Sequence, residues 1–310
     1  MTASRVPDEW PALPYAEWSD TKKTLQMLTQ ILGKLRLAIE PQKPEWLAAA
    51  LYPTARGLTT RPMPWGTASV ELTLDFFDHT LSVLMSDGRS HRIPLAPSRC
   101  VAEIYEELMA DLAQLGIEVE IYTKPQEVPD TTPFPENRHD CAYDPEAVQR
   151  FFRVLTAVAG VFDEWRSRFF GKTAEQFWWG SFDLSVIRFS GKHAVAPDDK
   201  GYIMRYDLDA EFFTAGWWLG SDDSPEPGFY AYAYPTPQGC ESVEVRPEHA
   251  GWVEAMGEWM MGYDAVRDCP DPRQAIVDFL DSTYRAVTAL GEWDAKALEY
   301  TAPPPAAREG

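Results

Sequence analysis

The segment that decides the fold reads SVELTLDFF over residues 69–77. Apolar and polar residues alternate along it, with the apolar positions at Val70, Leu72, Leu74 and Phe76. This period of two is typical of a β-strand with one buried face. Two more segments with strand character follow at residues 81–86 and 89–95, separated by Asp87-Gly88. Because an Asp-Gly pair favours a tight hairpin turn, the sequence predicts an antiparallel meander here.

Four long segments carry apolar residues at helical spacing, over residues 20–39, 98–115, 145–170 and 272–290. The last two each follow an aspartate, and proline is their first residue. Aspartate caps the first turn of a helix, and proline is tolerated there because that N–H has no helical partner. Long helices beside antiparallel strands predict an α+β fold.

Strand character returns in residues 177–190, 211–219 and 229–234, and residues 117–121 alternate Ile and Val with Glu. Five prolines interrupt residues 124–145. Such a stretch is typical of a long loop, so the sequence predicts a boundary between two halves near residue 140.

We therefore expect an α+β protein in which antiparallel sheets carry long amphipathic helices on one face. The predicted units are an N-terminal half of residues 1–140, a C-terminal half of residues 141–300 and a disordered tail of residues 301–310. Each half begins with a long helix near a Gly-Lys pair, Gly33-Lys34 or Gly171-Lys172, so the halves are possibly related by duplication.

The chain has 310 residues and a formal net charge of −20. A surface this acidic repels phosphates, so we expect neither nucleic acid nor a membrane surface as a partner. No apolar run approaches the roughly 18 residues of a membrane span, and the first residues lack a secretory signal pattern. The four cysteines are far apart, which we interpret as free thiols in the cytoplasm: Cys100, Cys141, Cys240 and Cys269.

No familiar catalytic motif occurs in the sequence. A GxSxG elbow, a P-loop and a Rossmann glycine fingerprint are all absent. The five histidines are isolated, and His139-Asp140-Cys141 is interpreted as a loop because adjacent residues rarely aim at one ion. We therefore expect no metal and no cofactor.

Arg188 is the first candidate for a ligand-binding residue. It shares a predicted strand face with Phe182, Leu184 and Val186, where an unpaired charge is costly. Two interpretations stay open: an internal ion pair with an acid such as Asp75 or Glu211, or contact with a ligand carboxylate or phosphate.

Aromatic residues supply the walls of the candidate pocket. Tyr230, Tyr232 and Tyr234 share one strand face, and such a row of phenols either lines a pocket or covers a wet sheet edge. Trp178 adds apolar wall area. Arg56 begins a Gly-bearing turn that either receives an anion or forms a simple loop.

Six stretches resemble a family of uncharacterised bacterial proteins, the domain of unknown function DUF5996. They are WPALPYAEWSDTKKTL from Trp10, ARGLTT from Ala55, LDFFDH from Leu74, FWWGSFDLSVIRFSGK from Phe177, FYAYAYP from Phe229 and STYRAV from Ser282. The resemblance covers residues 10–299, and the family has no activity to transfer.

The resemblance also implies that several relatives carry histidine where this chain has Gln26, Glu45, Gln176 and Ala210, with a glutamate matching Glu211. If those histidines bind a metal in the relatives, this chain has lost or changed the site, because Gln is a poor ligand for zinc or iron. Gln26, Glu45, Gln176 and Glu211 would then line a remnant pocket.

The leading functional hypothesis is a small-molecule-binding protein or a metal-independent enzyme. Its pocket would be walled by Trp and Tyr and polarised by Arg188, Glu211 and Gln176. Two alternatives stay open: a divergent or inactive member of a metal-dependent enzyme family, and a protein-interaction module with an exposed apolar patch.

Overall fold

A computed structural model describes residues 10–198 and 202–301, without the side chains of residues 45 and 202–204. This part of the chain holds two antiparallel sheets and seven α-helices, with 35% helix and 24% strand. The α+β prediction is therefore confirmed. The predicted disordered tail lies outside the described residues from residue 302 onward.

The first sheet has six strands. They are β1 (Tyr52–Pro53), β2 (Gly57–Thr59), β3 (Met63–Trp65), β4 (Ala68–Asp75), β5 (Thr80–Met85) and β6 (Ser90–Pro94). Their order across the sheet is β1-β2-β4-β5-β6, and β3 pairs with β4. The predicted meander is confirmed as β4-β5-β6, with Gly88 at a φ of 92° in the second turn, a value that glycine adopts without strain.

The second sheet also has six strands. They are β7 (Gln176–Trp178), β8 (Asp183–His193), β9 (Ala210–Trp218), β10 (Gly228–Tyr234), β11 (Gly251–Val253) and β12 (Glu258–Gly262). Their order is β11-β12-β10-β9-β8-β7, with antiparallel neighbours. The single strand predicted over residues 177–190 is wrong, because a tight turn with Phe182 at a φ of 59° divides it into β7 and β8.

The helices are α1 (Ser19–Ile39), α2 (Val101–Gln114), α3 (Pro145–Arg166), α4 (Tyr202–Asp207), α5 (Tyr263–Arg267), α6 (Pro272–Leu290) and α7 (Ala295–Leu298). All four predicted long helices are confirmed, although α3 ends four residues before position 170. Asp144 and Asp271 cap α3 and α6 as predicted, each accepting a hydrogen bond from a first-turn N–H.

The hydrophobic core is continuous between the two sheets. Phe151 of α3 is fully buried, and its ring contacts Phe76 after β4 as well as Phe182 and Trp217 of the second sheet. A backbone bridge between Leu51 and Phe177 also joins the edges of the sheets, with N–O distances of 2.8 and 2.9 Å. The boundary near residue 140 stays a prediction.

The Gly-Lys pairs occupy different places in the two halves. Gly33 lies inside α1, whereas Gly171 lies beyond the end of α3. The pairs therefore give no support to a duplication.

Residues 117–121 do not form the predicted strand. Ile117 is buried, and Val119 and Ile121 pack against the core, but no neighbouring strand pairs with this segment in the described part of the chain. The alternation therefore reflects burial of one side of an extended loop.

Two of the four cysteines form a disulfide, Cys100–Cys141. The interpretation as four free thiols is therefore wrong for this pair, and the cytoplasmic prediction loses its support. Backbone hydrogen bonds bring the start of α2 beside this loop, including Val101 N–H to Asp140 C=O at 3.0 Å. Cys240 and Cys269 are free, and no helix in the described residues is long and apolar enough to cross a bilayer.

Candidate ligand-binding site

The two faces of the second sheet have different neighbours. Helices α3 and α6 pack on the face that carries Leu184, Val186 and Phe213. Since side chains alternate along a strand, Asp183, Ser185 and Ile187 of β8 project from the opposite face. That face forms the floor of a cavity.

This cavity has a volume of about 440 Å³, and we call it the acidic cavity. Its walls carry three carboxylates, from Glu127, Asp183 and Asp207. Six aromatic residues complete them: Trp46, Trp178, Trp179, Phe212, Tyr230 and Tyr232. Among the described residues that line it, none is Lys, Arg or His.

Asp183 lies at the centre of the acidic cavity floor and is 3% exposed. Its two carboxylate oxygens accept hydrogen bonds from the hydroxyls of Ser181 and Tyr230. Burial raises the pKa of Asp183 to about 6, although these hydrogen bonds oppose the shift. Asp183 is therefore a buried carboxylate that can change its charge close to neutral pH.

The other carboxylates experience the same negative environment. Burial, together with the nearby charges of Asp183 and Asp207, raises the pKa of Glu127. Burial and Asp183 raise the pKa of Glu258, on the neighbouring strand β12, to about 7. A positive charge in this cavity would relieve the repulsion between these groups.

Three glycines make room for groups of the acidic cavity. A Cβ on Gly216 would overlap the Tyr230 ring, so this glycine lets the phenol reach Asp183. A Cβ on Gly180 would overlap the Glu127 carboxylate, and one on Gly33 would overlap the Trp179 indole. Each glycine is therefore required by a close approach rather than by a turn.

The loop that carries Glu127 is fixed to α1 by two buried side chains, Gln30 and Lys34, of which Lys34 donates to the Tyr122 and Lys124 carbonyls. The Gln30 amide donates to the Gln126 carbonyl at 2.8 Å and accepts from the Gln126 N–H at 2.9 Å. Gln30 itself is fully buried. This pair of hydrogen bonds holds the Glu127 wall in place.

Gln176 has an unusual position for a polar residue. It is 3% exposed and lines both the acidic cavity and a second cavity beside it. Its side-chain amide is not among the buried polar atoms that lack a partner in the described part of the chain. Because it lines both cavities, the amide can offer donors and an acceptor to a ligand in either of them.

The model of one protein family, described as "Family of unknown function (DUF5996)", matches residues 10–300. The chain belongs to the DUF5996 family. No curated protein and no solved structure matches the chain.

Of the four positions where the resemblance implies histidine in DUF5996 relatives, the structure brings two together. Gln176 and Ala210 both line the second cavity. Gln26 lies apart, where its amide donates to the Gly180 carbonyl and accepts from Lys22. Glu45 lies in a short 3-10 helix (Pro44–Trp46), and its side chain is outside the described part of the chain.

Arg188 does not belong to the acidic cavity. It lies on the helix-covered face, where its guanidinium stacks 3.3 Å from the Trp165 ring centre and donates to the Trp165 carbonyl. In the described residues it forms no ion pair with a carboxylate. The prediction that Arg188 polarises the pocket is therefore wrong, since its guanidinium contacts the Trp165 carbonyl and aromatic faces on the other side of the sheet, where its Nε has no hydrogen-bond partner in the described residues.

Glu211 and Arg56 also lie outside the acidic cavity. Glu211 pairs with Lys192 at 3.5 Å, and Arg56 binds Asp75 and Asp78 beside the first sheet. The predicted convergence of Arg188, Glu211 and the tyrosine row around one hollow is thus wrong. The row itself is divided, because Tyr230 and Tyr232 line the cavity while the Tyr234 hydroxyl donates to the Val195 carbonyl.

Trp178 lines the acidic cavity, and its indole N–H donates to the Ser185 hydroxyl at 2.9 Å. Sequence reasoning did not place Glu127, Asp183 or Asp207 among the candidate site residues. The alternation of Asp183 and Ser185 with apolar residues was the available signal, whereas Glu127 lies in an irregular loop without one.

One carboxylate and histidine group lies outside both cavities. Asp130, His139 and Asp140 have ligand atoms within 4.8 Å of one another, and the first two are exposed. His139 Nε2 already lies 2.6 Å from Asp130. The third residue of the loop considered from sequence, Cys141, is engaged in the disulfide.

Proposed function

We propose that this protein binds a small organic cation, such as an amine or a quaternary ammonium compound, in the acidic cavity. The observation that carries the proposal is the lining itself: three carboxylates, six aromatic residues and no cationic side chain among the described ones. A cavity of about 440 Å³ suits a small molecule.

The aromatic residues support a cationic ligand in a second way. A cation over the face of Trp or Tyr is attracted by the ring quadrupole, and removal of water strengthens this attraction. Tyr230 and Tyr232 of β10 stack with ring centres 6.1 Å apart on the cavity floor, and Trp178 lines the same cavity from β7, which β9 and β8 separate from β10 in the sheet. The aromatic rings and the carboxylates of the cavity therefore both favour a positively charged ligand.

The acidic cavity is also preorganised for binding. Tyr230 and Ser181 orient the Asp183 carboxylate, and the Gln30 amide fixes the loop before Glu127. Groups that are already ordered lose little entropy when a ligand arrives.

Calorimetric titration with tetramethylammonium tests the proposal, with pivalate as a probe of similar size and opposite charge. We expect the cation to bind and pivalate not to bind. Asp183→Asn should weaken tetramethylammonium binding about tenfold, or about 1.4 kcal/mol, because it removes one of the three negative charges that face the cation. Preference for pivalate, or equal binding of both probes, would overturn the proposal.

The matched control is Asp75→Asn, which removes a carboxylate from the end of β4, where it pairs with Arg56 outside the cavity. This variant should bind tetramethylammonium as the wild type does. If both Asn variants lost the same affinity, the effect would come from net charge rather than from the acidic cavity.

A further inference from the structure

The second cavity lies beside the acidic cavity and has the opposite charge. Its volume is about 650 Å³, and we call it the basic cavity. Arg61, Lys172, Lys192 and His193 line it, and no Asp or Glu occurs among its described lining residues. The two cavities thus divide the charged side chains of this surface by sign.

The two cavities are consecutive along one face of β8. Asp183, Ser185 and Ile187 line the acidic cavity, and Phe189, Gly191 and His193 line the basic one. Asp183, Ser185, Ile187 and Phe189 are two apart in a regular ladder and therefore project from the same face. Beyond Phe189 the register with β9 shifts, and the consecutive residues Gly191, Lys192 and His193 all line the basic cavity. Phe189 pairs with Phe212 of the acidic cavity across the β8-β9 ladder, so the floor continues from one cavity to the other.

Two cations of the basic cavity lack a carboxylate partner in the described residues. Arg61 stacks 3.5 Å from the Tyr52 ring centre, and Lys172 lies 5.0 Å from the Phe170 ring centre. Lys192 alone is paired, with Glu211. Burial raises the pKa of the nearby Glu175 carboxylate and the charge of Arg61 opposes this rise, although the two side chains form no ion pair in the described residues. The excess of cations that line this cavity over its carboxylates favours an anionic group there.

Gln176 lines both cavities and therefore lies at their junction. An amide offers two N–H donors and one carbonyl acceptor, so it can contact either end of a polar ligand. A polar side chain shared by both cavities is placed to contact one ligand that spans them.

We propose that the two cavities form one groove, which binds a linear bipolar molecule with an amine at one end and an oxyanion, carboxylate or phosphate, at the other. The amine would lie near Asp183 and the oxyanion near Arg61 and Lys172, with the connecting chain passing Gln176. This inference rests on the proposed function for its cationic end.

The groove is long. Asp183 and Phe189 are six residues apart on β8, which corresponds to roughly 20 Å at a strand rise of about 3.3 Å per residue. Gln176, which pairs with Ser185 and lines both cavities, lies between these two positions. The ligand is therefore extended rather than compact.

Calorimetric titration with three series of probes tests the inference: n-alkylamines, ω-amino acids and ω-aminoalkyl phosphates of matched and increasing chain length. Beyond a threshold length, at least one bipolar series should bind about fivefold more tightly than the alkylamine of equal length, as expected for an ion pair at a partly exposed site. The tighter of the two bipolar series identifies the oxyanion.

The double variant Arg61→Met, Lys172→Met should abolish this advantage, so that a bipolar probe binds no more tightly than the alkylamine of equal length. The control is Arg89→Met, which removes a cation that pairs with Asp87 on the β5-β6 hairpin, and it should keep the advantage. Thermal unfolding of each variant confirms that it is folded.

Equal affinity of amines and bipolar probes at every length would overturn the inference and leave the proposed function standing. A bipolar advantage that survives the double variant would also overturn it. A protein that binds neither tetramethylammonium nor any alkylamine would overturn the proposed function itself.

Discussion

The two sheets of this protein place polar residues in different environments. In β4, Val70, Leu72 and Leu74 are fully buried, and the alternating polar residues are half-buried on the other side. In β8 both faces are buried at first, so the polar residues Asp183 and Ser185 are themselves covered. The alternating polar residues thus face solvent in the first sheet and a cavity in the second.

This comparison shows how one sequence pattern serves two purposes. A polar residue that faces solvent costs little, whereas a covered one must be hydrogen-bonded or engaged by a ligand. Asp75 is satisfied by Arg56 at the surface, and Asp183 by two hydroxyls inside the protein. A buried carboxylate without a cationic partner is therefore the sign of the site.

Removing core volume from the first sheet should produce the largest loss of stability and no loss of binding. Leu72→Ala leaves a cavity in the core and should lower the free energy of unfolding by about 2–5 kcal/mol. Urea denaturation measures this, with Thr73→Ala on the other face as a control expected within about 0.5 kcal/mol. A change in tetramethylammonium affinity beyond twofold in folded Leu72→Ala would contradict the separation of roles.

The two aspartates should respond to pH with opposite signs. The pKa of Asp183 is raised from 3.8 to about 6, mainly by burial. Between these values the folded protein holds a proton that the unfolded chain has released, so this group destabilises the fold increasingly as pH rises and fully above about pH 6. As pH rises from 4 to 7, the free energy of unfolding of Asp183→Asn should therefore increase relative to that of wild type by on the order of 3 kcal/mol.

At Asp75, burial raises the pKa but hydrogen bonds from Arg56 and from backbone N–H groups outweigh it, so the pKa lies below its ordinary value. The wild-type protein then gains stability from this group as pH rises. The free energy of unfolding of Asp75→Asn should therefore fall relative to that of wild type. Urea denaturation at several pH values gives both differences. The same sign for both variants would contradict the contrast between the two aspartates.

A pair of helical glycines should show the smallest effect. Gly33→Ala places a methyl group inside the Trp179 indole and should destabilise the protein by about 1–3 kcal/mol. Gly160→Ala, in α3, meets only Arg273 Nη1 at 3.8 Å and should stabilise by about 0.5–1 kcal/mol through helix propensity. Thermal unfolding measures both differences. If both variants were stabilised, the close packing of Gly33 against Trp179 would be contradicted.

Much of the fold follows from short-range patterns. The alternation around Leu72, the Asp87-Gly88 turn and the Asp-Pro starts of α3 and α6 predict elements that the structure confirms. The strand predicted over residues 117–121 was wrong because burial of one side also produces alternation in an extended loop. The β7-β8 turn was missed because it depends on a positive φ at Phe182, a residue type that rarely adopts one.

The candidate site was less predictable. Tyr230, Tyr232, Trp178 and Gln176 line the cavities, as the aromatic pattern and the family resemblance led us to expect. Arg188 was misplaced because a strand pattern gives the face of a residue but not which face is covered by helices. Glu127 and Asp207 reach the cavity through loop and helix ends, where sequence spacing carries no information about tertiary position.

The pair of hydrogen bonds between Gln30 and Gln126 affects how quickly ligands can bind and leave. A wall that must order itself slows association, because only a fraction of encounters meets a competent site. Here Gln30 and Lys34 of α1 hold the loop before Glu127 in place by hydrogen bonds to its backbone. We expect the association rate to be limited by diffusion and raised by attraction to the carboxylates. The dissociation rate should then depend on the strength of the contacts inside the cavity.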